Sequence, residues 1–163
     1  MKRLLFWVSC MVMLVANVAQ AEDVDYRLPG AIKPTFQQIH LNIDPDQPDY
    51  SGETIIELTI TEPVTKVGFY QMDIQVTNAE LRQGNRIYPL RITEGDYNIN
   101  WGHSSATVPV GTYELAISFE GKVNTSSDGM YLSSFEGRNY IFTQFEDMHA
   151  RKAFPSFDEP AFK

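Results

Sequence analysis

Along most of the chain, apolar residues recur at every second position. Ile39, Leu41 and Ile43 fall on one side of a segment that starts near Phe36, with His40 and Asn42 on the other. That is the spacing of a half-buried strand. Tyr50 to Thr61 repeats it through Ile56, Leu58 and Ile60, and Gly52 near its start marks a bulge or a close backbone contact. Val64 to Tyr70 and Ile74 to Leu81 read as two further strands. Gln83-Gly84-Asn85 is a hairpin signal, with Arg86 to Ile92 as the return strand. Tyr97, Ile99 and Trp101 alternate after the turn Glu94-Gly95-Asp96. Ala106 to Val110 carries Pro109, which suits a short edge strand. Gly111 turns the chain into Tyr113, Leu115, Ile117 and Phe119, the most regular alternation of all. Gly121 to Gly129 reads as a loop, and Met130 to Leu132 and Tyr140 to Phe145 as short apolar and aromatic runs.

Outside residues 4–18 no long window sustains apolar residues at i, i+3, i+4 and i+7, so no helix is expected there. Many short strands separated by turns predict an all-β fold, a layered antiparallel or mixed β-sheet sandwich. There is no internal repeat.

Both ends break the pattern. Lys2 and Arg3 precede the apolar run Leu4 to Val18, and Ala19-Gln20-Ala21 offers small residues for cleavage. This order is that of a secretory signal peptide. The run is shorter than the roughly 20 residues a spanning helix needs. The expected organisation is a signal peptide at 1–21 and one domain at 22–163. The product is expected to be exported, periplasmic or secreted, and without a stable membrane anchor once the leader is gone. Cys10 is the sole cysteine and leaves with that leader, so disulfide and thiol chemistry are not expected. The net charge is −8, and cleavage would remove two cations and no acid. Such acidity argues against nucleic acid or anionic membrane as a partner. At the other end, residues 143–163 are dense in charge and aromatics and do not alternate. Ala161 and Phe162 lie next to the last residue, which gives the expectation of a segment cut from a larger protein.

The candidate chemistry is sparse. His40, His103 and His149 are too far apart for the H-E-x-x-H zinc spacing. His40 is expected on the outer face of a strand, His103 in a loop beside Ser104 and Ser105, and His149 in the dense terminal segment. Asp44, Asp46 and Asp49 form an acidic turn without the glycine and distal glutamate of a calcium loop. Asn124-Thr125-Ser126 is a formal glycosylation sequon. Arg151 could pair with Asp158 or with Glu159, since guanidinium and carboxylate match in shape. No residues here would form a catalytic set. On this ground alone the chain could equally be a stand-alone secreted β-sandwich that binds peptide, glycan or a protein partner.

The terminal segment TQFEDMHARKAFPSFDEPAFK carries a resemblance. Thr143-Gln144, Ala150-Arg151, Phe154-Pro155, Asp158-Glu159-Pro160 and Lys163 resemble the motif that closes the N-terminal domain of zinc aminopeptidases of the aminopeptidase N and leukotriene A4 hydrolase family. Arg27-Leu28-Pro29 with Pro34 and the Ile39/Leu41/Ile43 strand, then Tyr50-Ser51-Gly52-Glu53, then Gly129-Met130-Tyr131, resemble earlier family motifs in the same order. Ser156 stands where the family commonly has cysteine, and His149 where aspartate is more common. The resemblance implies a β-rich, saddle-like domain packed on a thermolysin-like catalytic domain as its partner. It implies zinc in the parent enzyme, on motifs that this chain does not contain, and no catalytic residue here. It also implies that Gln144 and Glu146 bind substrate, with Glu146 reaching the free α-amino group at a peptide's N-terminus. Phe145 would either line that pocket or belong to the core.

Overall fold

The computed structural model describes residues 27–162. The expected leader, with Cys10 and the boundary after Ala21, lies outside them, as does Lys163. Nine strands follow in chain order: β1 (Ile32–Asn42), β2 (Asp49–Ile60), β3 (Val64–Tyr70), β4 (Ile74–Gln83), β5 (Arg86–Glu94), β6 (Ile99–Val108), β7 (Gly111–Lys122), β8 (Gly129–Phe135) and β9 (Arg138–Gln144). Three short 3-10 turns at Asp96–Asn98, His149–Lys152 and Pro160–Phe162 are the helical elements among the described residues. No helix among them is long and apolar enough to cross a membrane.

Seven strands form one antiparallel sheet in the order β1-β2-β7-β4-β5-β6-β3, and β8-β9 form a separate hairpin. The large sheet curls because β5 serves two neighbours. Its first half pairs with the end of β4 (Gln83 opposite Arg86, Glu80 opposite Pro89), and its second half, Leu90 to Glu94, pairs with β6. The arm β1-β2-β7-β4 and the arm β5-β6-β3 thus close over one core. Ile56, Leu58, Ile60, Leu81, Leu115 and Ile117 come from the first arm, and Val67, Phe69, Leu90 and Ile99 from the second. Each such side chain, fully buried, contributes about 1.5–3 kcal/mol. This is the all-β sandwich that the alternation predicts.

A second cluster decides where the terminal segment goes. Tyr50, Ile74, Phe119, Met130 and Ala153 are buried together, with Leu41, Ile43, Val123, Ile141, Phe145 and Phe154 packed against them. It glues one end of the sheet to the β8-β9 hairpin and to residues 145–154. Gly52 makes the close contact expected of it: a Cβ there would lie 2.6 Å from the Phe119 ring and 2.8 Å from the His40 carbonyl oxygen. In the β1-β2 pairing the register irregularity falls instead on β1, between Pro34 and Phe36, and others lie in β3 between Val64 and Lys66 and in β4 between Val76 and Asn78.

Three strand expectations change. Tyr97 is not in a strand but in a turn with φ of 59°, and β6 starts at Ile99. Ala106 to Val108 is the end of β6, and Pro109-Val110 is the turn into β7. The hairpin strands run longer than the aromatic runs suggest. They are joined by Glu136-Gly137, both at positive φ, a geometry that matches strand twist in two-residue turns.

Candidate functional site

The charged terminal segment is, first, a structural lock. Arg151 is buried, and its Nη2 donates to Asp158 Oδ2 and to the Asp158 carbonyl, both at 3.3 Å. Its guanidinium lies 4.2 Å from the centre of the Tyr70 ring, a cation–π contact. Glu159 takes no part in that pair. Its Oε1 accepts the Tyr70 hydroxyl at 2.9 Å and the Leu28 N–H at 2.6 Å. Of the two acids open to Arg151, the geometry therefore selects Asp158. Burial, then the bond to Glu159, pushes the Tyr70 phenol well above its ordinary range. Ser156 extends the edge of β3 through paired backbone bonds with Tyr70 at 2.8 and 3.0 Å. These residues carry structure and are not positioned to carry chemistry.

The segment between the hairpin and this lock holds the predicted substrate residues. Gln144 ends β9, opposite Gly129, and Glu146 follows in the connection to the turn at His149. Both are exposed, and neither side chain bonds to another described residue. Phe145 between them packs edge-on against Phe154, with ring centroids 5.6 Å apart, inside the second cluster. Of its two readings the core one holds. Gln144 lies on the same hairpin face as Tyr131, Phe142 and Tyr140. The Tyr131 and Phe142 rings stack with centroids 5.9 Å apart, and Phe135, Tyr140 and Phe142 are exposed. The two polar side chains thus stand at the foot of an aromatic surface.

The remaining candidates are ordinary. His40 is exposed on β1, as expected. His103 lies not in a loop but in β6, with its Nε2 2.9 Å from Thr93 Oγ1. His149 opens the 3-10 turn, with its N–H on the Phe145 carbonyl at 2.9 Å and its Nδ1 buried without a partner. Asp44 caps its own turn by accepting the Asp46 N–H at 3.0 Å, and Asp46 accepts the Asn139 amide at 3.0 Å. The sequon asparagine, Asn124, spends its amide on Asp128, 2.6 Å to Oδ1 and 3.2 Å to the carbonyl. Among the described residues no group of three His, Cys, Asp or Glu side chains could hold a metal, so the residues in hand do not fit a zinc site. Sequence reasoning missed Asp128, Lys152, Tyr70 and Leu28, which bond across 24 to 131 positions. No local spacing announces such pairs.

The sequence profile of the Peptidase M1 N-terminal domain matches residues 33–163. The chain belongs to that family. Relatives of the peptidase M1 domain found here include aminopeptidase N of Acetobacter pasteurianus, 29% identical over 84% of this chain and 39% of the relative. Aminopeptidase M1-C of Oryza sativa subsp. japonica is 31% identical over 84% of this chain and 16% of its own length. Endoplasmic reticulum aminopeptidase 1 of Rattus norvegicus is 28% identical over the same shares. This M1 domain therefore spans well under half the length of the curated relatives it matches.

Proposed function

We propose that the chain is the N-terminal domain of an exported zinc metallo-aminopeptidase, and that it supplies the amine-recognising side of the substrate cleft rather than the chemistry. In this reading Glu146 accepts a charge-assisted bond from the protonated α-amine of a peptide, and Gln144 adds a neutral acceptor. Such bonds are about twice as strong as neutral ones. Fixing the amine holds the first peptide bond at one distance from the reacting groups, which is how positioning lowers a barrier. The supporting observation is that both side chains are exposed and unengaged at the foot of the aromatic hairpin face. Zinc and the thermolysin-like domain belong to the proposed remainder of the protein, and export rests on the leader at 1–21.

In the intact protein Glu146→Gln is expected to raise KM for aminoacyl-anilides by about tenfold, the loss of one charged bond of roughly 1.5 kcal/mol. Unchanged kinetics in that variant would defeat the amine reading. An intact protein no larger than this chain's 18.6 kDa, with no peptidase activity, would favour the stand-alone binding module instead.

A further inference from the structure

Asp128 precedes Gly129, whose partner across the hairpin is Gln144. Its carboxylate is crowded with donors. Asn124 Nδ2 lies 2.6 Å and Ser126 Oγ 2.8 Å from Oδ1, while the Lys152 ammonium sits on Oδ2. Lys152 comes from the 3-10 turn beyond Glu146. Gly129 makes this approach possible: it has a φ of +65°, and a Cβ there would lie 2.8 Å from Lys152 Cβ. The segment 145–151 therefore leaves the hairpin beside Gly129 and returns to the same place at Lys152. Inside it the His149 N–H closes on the Phe145 carbonyl at 2.9 Å.

We propose that Asp128 and Lys152 are positioning residues, an ion-pair clamp that joins the entry and exit of the 145–151 loop and so sets the direction in which Gln144 and Glu146 project. The loop mechanics stand by themselves; the effect on substrate rests on the amine-binding reading above. The Lys152 side chain is 19% and the Asp128 side chain 24% exposed, which shelters the pair from the full screening that makes surface pairs weak. Lys152, then Ser126, holds the Asp128 carboxyl below its ordinary range. The charge count around Asp128 thus favours an ionised carboxylate that keeps its lysine.

The test uses Lys152→Met, which keeps the aliphatic stem, and Lys152→Arg, which keeps the charge, in the intact protein. Hydrogen exchange is read at the His149 amide. In the Met variant it is expected to quicken about tenfold, as local opening becomes easier, while amides of β2 and β7 keep their rates and Arg restores protection. An unchanged His149 rate overturns the clamp. So does acceleration shared equally by β2 and β7, since the pair would then be general scaffolding. Kinetics separate the two layers. If Glu146→Gln raises KM and Lys152→Met also raises it with kcat little changed, the clamp acts on the site. If Glu146→Gln acts and Lys152→Met does not, the positioning role is overturned. If Glu146→Gln is silent, the amine reading fails, and exchange alone decides whether the clamp exists.

Discussion

The curled sheet and the terminal segment are held by different forces. In the sheet, β2 and β7 bury Ile56, Leu58, Leu115 and Ile117 nearly completely, and no one contact matters more than its neighbours. In the terminal segment, a few polar atoms at fixed distances do the work: Asp158 with Arg151, Glu159 with Tyr70 and Leu28, and Asp128 with Lys152. Burial tolerates shifts and exchange of similar side chains. A polar lock does not, because a displaced partner leaves a buried group unsatisfied. The first region supplies rigidity, and the second fixes the segment that carries the exposed Gln144 and Glu146.

The largest effect tests the sheet. Leu115→Ala should cost about 2–5 kcal/mol, the range for deleting a fully buried leucine, read as a fall in urea midpoint. A cost below about 1 kcal/mol would mean that the core relaxes into the gap and would weaken the contrast with the lock. Next comes the bolt between the two regions. Tyr50 is buried, and its hydroxyl donates to the Ala153 carbonyl at 2.9 Å. Burial pushes its phenol up to about 12 from an ordinary 10.0. The unfolded chain therefore loses this proton first. Stability is full below pH 10 and declines as pH rises toward 12, by at most about 3 kcal/mol at about 1.4 per unit. Urea midpoints measured at steps from pH 9 to 12 should fall less steeply in Tyr50→Phe. Equal slopes would assign the alkaline loss to other tyrosines. The smallest effect tests the lock. The Ser156 hydroxyl is buried with no partner, and a thiol behaves as a small apolar group. Ser156→Cys should raise stability by about 0.5–1 kcal/mol, visible as a higher melting temperature; a loss would mean that the hydroxyl is satisfied by water.

These regions also differ in how far sequence reveals them. Alternation at Ile56/Leu58/Ile60 and Tyr113/Leu115/Ile117 is a local property, and it located β2 and β7 and their buried faces. It overreached at β1. Ile39 has the right spacing and faces the core side, yet it is 37% exposed, because β1 is an edge strand and the opposing arm does not extend over it. Tyr97 kept the spacing but went into a turn at positive φ, where hydrogen bonding from Gly95 N–H to Ile99 carbonyl closes the chain. In the terminal segment the residues were identifiable by motif, but their partners were not. Arg151 had two acids within reach, and the choice of Asp158 depends on Tyr70 and Leu28 claiming Glu159. The exposed positions of Gln144 and Glu146 likewise depend on Phe145 turning inward between them.

The bond from the Leu28 N–H to Glu159 spans 131 positions, and the edge of β3 waits for Ser156 across 86. A ribosome adding about 5–20 residues per second needs on the order of ten seconds to cover that distance. Until residue 156 is in place, the N–H and C=O groups of Tyr70 lack these partners, and an open strand edge is a template for wrong pairing. The sheet can thus be complete in its core while its β3 edge still stands open, and the edge closes only when Ser156 arrives.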